Sequence, residues 1–180
     1  MKAFSRFCRS NGGAAAAEMA LIAPLMLTLL LGSAELGNYF YDEHKLVKSV
    51  RDAARYAARQ QFSNFSACSG QVPTEGTPGT VFENTKLMAE KGTLDSTAAD
   101  ILPKWSDAGA SFDATMTCVT SLDDGAGGTY NLGGIYANVS APTVVVTVSL
   151  PYRSIIGTAF GFSGRGFTLN ATQSAAVVGL

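Results

Sequence analysis

One apolar run, Ala14 to Ala34, separates a Gly12-Gly13 pair from the aromatic cluster Tyr39-Phe40-Tyr41, and it contains a single charge, Glu18. Its residues favour helix, and its length matches the ~20 positions a helix needs to cross a bilayer. A carboxylate at the centre of such a helix costs about 2.5 to 3.5 kcal/mol on insertion scales, so it is rarely kept without a partner or a task. Pro24, inside the same run, should kink the helix or locally break its hydrogen bonding.

The flanks of the run set its orientation. Lys2, Arg6 and Arg9 precede it with no acidic residue among them. Basic residues beside the first apolar segment hold that end in the cytoplasm. The remainder of the 180-residue chain is then expected outside, as one anchored domain large enough to bury a core. Its mildly acidic character offers no basic stripe for phosphate, so nucleic acid is not an expected partner.

Three readings of the first forty residues compete. The run could be a secretory signal cut after Gly32-Ser33-Ala34, leaving Glu35 at the mature terminus. It could be a plain anchor, with Tyr39 to Tyr41 at the outer interface. The third reading accounts for Glu18 and for the glycine before it. A short basic leader ending in glycine, four small residues, a glutamate and a long apolar helix are similar to the processing site of type IV-like prepilins, which a prepilin peptidase cuts after the glycine. The resemblance places the cut between Gly13 and Ala14. The new Ala14 amine would be positive, and Glu18, one turn on, could pair with it or with a neighbour's amine, offsetting the desolvation of an isolated carboxylate.

The stretch Ala17-Glu18-Met19-Ala20-Leu21-Ile22-Ala23-Pro24-Leu25 is followed by Gly32-Ser33-Ala34-Glu35-Leu36-Gly37 and by Arg51-Asp52-Ala53-Ala54-Arg55-Tyr56-Ala57-Ala58-Arg59. Together these resemble the TadE-like family of tight-adherence pilus assembly proteins, over about the first third of the chain. The resemblance implies a minor, pseudopilin-like structural component of a Tad pilus system, not an enzyme, needing no cofactor. Its implied partners are other pilins or pseudopilins, the prepilin peptidase and an inner-membrane assembly platform, and its implied place is a bacterial inner membrane. The alternative is a binding domain that is secreted or tethered by a single span.

Beyond the run the helix is expected to continue. Leu46, Val50, Ala53 and Ala57 recur at helical spacing as one narrow apolar seam, expected to pack on the outer domain, and neither Pro nor Gly interrupts Asn38 to Gln61. The chain therefore divides into a leader at 1–13, a transmembrane helix at 14–41, an amphipathic extension at 42–61 and an outer domain at 62–180. Phe62 to Gly79, rich in Ser, Gly and Pro, reads as an irregular surface connection with little apolar area of its own. Thr80 with Glu83 and a terminal Gly92 mark a second helix, and Asp95 to Leu102 a further helical turn stopped by Pro103.

After Trp105 the period changes to two. Phe112, Ala114, Met116 and Cys118 alternate with polar residues, Pro142 to Leu150 reads as a central strand, and a last strand lies between Gly166 and Val178. The expected class is α+β and pilin-like: a long helix over a small antiparallel sheet.

Cys68 and Cys118 both fall in the outer part and are expected to pair, closing a loop of roughly fifty residues worth about 3 to 4 kcal/mol. Cys8 is left over, and leader cleavage would remove it. Catalytic and metal constellations are not expected. His44 stands without a second histidine or a nearby cysteine and reads as a solvated helix-face residue, and Asp123-Asp124-Gly125 reads as a glycine-rich turn between strands. The Gly157 to Gly166 stretch with Phe160, Phe162 and Phe167 reads as core packing or an exposed aromatic loop.

Overall fold

The computed structural model describes residues 12–65, 69–72, 79–119, 121–123, 125–131, 133–136, 140–159 and 167–179. It begins with one helix, α1 (Gly12–Ala58), 47 residues long and continuous through Pro24. At 1.5 Å per residue it spans about 70 Å. It starts two residues before the expected Ala14 and stops three before the expected Gln61. The last turn closes through Arg59 and Gln60, whose amides reach the Tyr56 and Ala57 carbonyls, and Gln60 Nε2 donates to the Tyr56 carbonyl at 3.2 Å.

The two halves of α1 have different surroundings. Large apolar side chains between Met19 and Leu31 stand exposed, and the helix is long and apolar enough to cross a membrane. From Glu35 onward the helix carries the folded domain, and Leu46, Val50, Ala53 and Ala57, the seam read from the sequence, are all at 0% exposure. This seam packs on the sheet and on the second helix, as expected of core and not of an oligomer interface.

The segment after α1 departs from the expected surface connection. A 3-10 turn at Phe62–Phe65 buries Phe65, a short strand β1 (Ser69–Gln71) follows, and Val72 is fully buried with its amide donating to the Ala114 carbonyl at 2.9 Å. Two apolar anchors in a polar stretch therefore dock it, and periodicity cannot register single residues of that kind.

Helix α2 (Val81–Lys91) has the ends its sequence calls for. The Thr80 hydroxyl accepts the Glu83 amide at 3.4 Å, and Gly92 adopts φ 70°, where an L side chain is strained, while donating to the Met88 carbonyl. The expected helical turn at Asp95 to Leu102 does not form. Asp95 Oδ1 takes the Thr97 amide and hydroxyl, which holds a local turn, and the segment is tied back to α2 by Ile101 N–H to the Glu90 carbonyl and by Lys91 Nζ to Asp100 and to the Ala98 carbonyl.

Four strands form an antiparallel sheet in the order β1-β2-β5-β6. The long ones are β2 (Ser111–Val119), β5 (Ala141–Pro151) and β6 (Thr168–Ala176). Alternation sends Ala114, Met116, Val144, Val146, Val148, Leu150, Leu169 and Ala171 to one buried face. Strand β5 is central, between β2 and β6, as read from its apolar run. The opposite face is mostly hydroxyl-bearing, and the Thr147 and Thr172 hydroxyls meet across β5 and β6 at 3.2 Å. A separate hairpin, β3 (Ser121–Asp123) with β4 (Thr129–Asn131), brackets the turn around Gly125. A last short helix, α3 (Ile155–Ala159), leaves the end of β5. The architecture is the α+β class expected: a long helix, apolar at its N-terminal end, on a small antiparallel sheet.

Candidate functional site

Three polar side chains lie in the bare half of α1 between Ala15 and Ala34: Glu18, Thr28 and Ser33. Two are satisfied within the helix. Thr28 Oγ1 donates to the Pro24 carbonyl at 2.7 Å, and Ser33 Oγ donates to the Leu30 carbonyl at 2.9 Å. Glu18 is exposed and makes no ion pair among the described residues. Gly13 lies inside the first turn of α1, and a Cβ built on it would meet nothing within 4 Å. Ala14 is helical. Gly13 and Glu18 are thus both exposed near the start of α1, with Ala14 between them on the same helix.

The folded domain grips α1 where the apolar run ends. Glu35 Oε1 accepts the Ile155 amide at 3.2 Å and Oε2 the Ile156 amide at 3.0 Å, so a carboxylate of the long helix satisfies the first donors of α3. The Tyr152 hydroxyl donates to the Glu35 carbonyl at 3.3 Å and accepts from Asn38 Nδ2 at 2.9 Å. Tyr39 packs edge-on against Tyr152, with centroids 5.1 Å apart, and its hydroxyl donates to the Thr168 carbonyl at 3.3 Å. Burial pushes the Tyr152 hydroxyl above its ordinary pKa, against the opposing effect of the Asn38 hydrogen bond.

This clamp went unread in the sequence. Glu35 was legible only as a polar exit from the apolar run, and Tyr39 as an interfacial aromatic; nothing local to Tyr152 or Ile155 signals a partner more than a hundred residues away. Phe40 and Tyr41 of the aromatic cluster stay exposed, and Lys45 Nζ lies 4.4 Å from the Tyr41 ring centroid.

The remaining sequence candidates divide. His44 is exposed on α1, and no metal-binding group of three or more His, Cys, Asp or Glu residues occurs among the described residues. Cys118 lies half-buried on β2, while Cys68, Cys8, Asp124, Phe160 and Phe162 lie outside the described residues. Phe167 is exposed.

No curated protein and no solved structure matches the chain. The family model described as TadE-like protein matches residues 13–55. That interval opens at Gly13, takes in Glu18, Pro24 and the Glu35 clamp residues of α1, and stops before the strands begin. Residues 13–55 are thus similar to TadE-like proteins, over most of the stretch on which the sequence resemblance rested.

Proposed function

We propose that the chain is a minor, pseudopilin-like structural component of a Tad pilus, processed by a prepilin peptidase between Gly13 and Ala14. The bare half of α1 anchors it in the bacterial inner membrane with the leader cytoplasmic and the sheet domain outside. Other pilins or pseudopilins and an inner-membrane assembly platform are its partners. The observation that carries this reading is Glu18: of the polar groups in the bare half, it alone has no partner among the described residues, while Thr28 and Ser33 are satisfied. A charge exposed on a membrane-length helix, five residues from Gly13, suits an amine supplied by Ala14 or by a neighbouring subunit.

The Cys68–Cys118 disulfide belongs to the same reading. Support comes from the pairing of Ser69, the residue after Cys68, with Thr117, the residue before Cys118, and from Cys118 standing as a half-cystine. Full thiol labelling of both cysteines without reductant would remove it.

Glu18→Ala is expected to insert normally in the membrane and to be lost from sheared pili, read by fractionation and immunoblot. Piliation at the parent level overturns the assembly role. The mass of the mature chain separates the alternatives: an Ala14 terminus fits the pilin route, Glu35 a secreted domain, and Met1 a plain tether.

A further inference from the structure

Between α1 and the end of the sheet lies a groove of about 460 Å³, lined by Gly32, Glu35, Leu36 and Tyr39 on the helix and by Tyr152, Ser154 and Phe167 on the domain. Its volume is in the range of sites that hold a small organic molecule. Its polar groups are already engaged: Glu35 by the Ile155 and Ile156 amides, the Tyr152 hydroxyl by Asn38 and the Glu35 carbonyl, the Tyr39 hydroxyl by the Thr168 carbonyl, and the Ser154 hydroxyl by the Gly157 amide. What remains for an occupant is hydrocarbon.

The position of the groove along α1 decides what that occupant is. Ala15 to Ala34 rise about 30 Å, the thickness of a bilayer's hydrocarbon core. Gly32 therefore lies inside that layer and Glu35 at its border, so the groove opens along the helix from the apolar side. Beside the exposed Arg153 and Thr168, two domain residues tied to this level are apolar and outward-facing. Ile155, whose amide is bound to Glu35, is 57% exposed, and Phe167, whose carbonyl accepts the Tyr152 amide at 2.9 Å, is 69% exposed. In water these side chains are a liability, but at the edge of a bilayer they gain from burial among acyl chains.

We propose that this groove is a lipid site: it takes one acyl chain of a phospholipid from the leaflet facing the domain, with Ile155 and Phe167 dipping into the same leaflet around it. The proposal rests on the membrane-spanning role of α1. A second copy's apolar helix is the competing occupant. The lipid is favoured because the groove is continuous with the bare face of α1 at the level where acyl chains join their headgroups, and because among the described residues its polar groups are already engaged within the chain.

The test uses the full chain in phospholipid bilayers whose acyl chains carry bromine, which quenches tryptophan on contact. The parent has one tryptophan, Trp105, and supplies the background. Phe167→Trp is expected to lose about twofold of its added emission and to shift to the blue, as an interfacially buried ring does. Ile135→Trp is the control at the far end of α1, where Tyr136 donates to the Val177 carbonyl and Val178 to the Ala58 carbonyl, and it is expected to keep its emission. Leu36→Asn, which places a polar group in the groove, is expected to restore most of the Phe167→Trp emission. Leu27→Trp, in the bare half, reads the membrane role separately.

If Leu27→Trp is quenched and Phe167→Trp is not, the lipid site is wrong while the span stands. If neither is quenched, the span is wrong and the lipid site with it. Quenching of Phe167→Trp that is indifferent to Leu36→Asn overturns the groove. A blue shift without quenching that grows with the protein-to-lipid ratio assigns the groove to a second copy and overturns the lipid.

Discussion

Leu21 and Leu46 belong to one uninterrupted helix, yet the first is 81% exposed and the second 0%. The bare half of α1 sets large apolar side chains all round its circumference, with no polar face; the docked half gathers its apolar residues into a seam and makes most of them small, as Ala53, Ala54, Ala57 and Ala58 show. Small residues let a helix approach a sheet closely, and a single stripe leaves the other sides free for charge. An all-round apolar surface has no such use in water and is what a helix surrounded by lipid requires. The boundary between the two designs falls at Glu35, where the domain first takes hold.

The largest effect that could break this comparison is a matched truncation. Leu46→Ala should destabilise the domain by about 2 to 5 kcal/mol, since it empties a fully buried site, whereas Leu25→Ala should change its stability by less than about 0.5 kcal/mol. Near-UV circular dichroism melts of both variants in detergent measure the difference. Equal losses would mean that the bare half also packs on the domain.

Glu35→Ala should act at the boundary itself. Two charge-assisted hydrogen bonds to α3 are lost in a setting open to solvent, so the global cost should be about 1 kcal/mol. The sharper readout is local: amide exchange at Ile155 and Ile156 should quicken while the Val146 and Val148 amides keep their protection. Uniform acceleration would deny the clamp a local role.

The smallest effect concerns Glu90 on α2. Burial raises its carboxyl pKa, and Lys86, 3.9 Å away, only partly offsets this. A raised carboxyl favours folding while protonated, and that contribution is lost as pH climbs through its folded-state value. Glu90→Gln should therefore match the parent at acid pH and gain relative to it at neutral pH, within about 0.5 kcal/mol. A relative loss at neutral pH would show that the Lys86 pair dominates.

Much of this molecule is local enough to be read along the chain. The seam at Leu46, Val50, Ala53 and Ala57, the Thr80 and Gly92 caps and the alternation through β2 each depend on residues within a few positions of one another. The failures share the opposite property. Phe65 and Val72 are buried singly by strands that come later, and the Asp95 to Leu102 segment, expected as a helical turn, is held instead by ties back to Glu90 and Lys91 of α2. The Glu35–Tyr152 clamp joins residues more than a hundred positions apart, and no spacing rule reaches that far. The proposed processing-site residues Gly13, Ala14 and Glu18 stand out for the reverse reason, because the resemblance that suggests them is carried by a short linear pattern at the end of a helix.

Because α1 passes from its bare half to its docked half without a break, and because Glu35, Asn38 and Tyr39 fasten the domain at the crossing, the anchor and the domain share one rotational frame. Each helical residue turns the chain by about 100° and advances it 1.5 Å. One alanine inserted between Leu29 and Leu30 would therefore swing the entire sheet about 100° around the helix axis relative to Glu18, while four would bring it almost back into phase. Whatever direction Glu18 faces in an assembly, it dictates which side of the sheet looks outward.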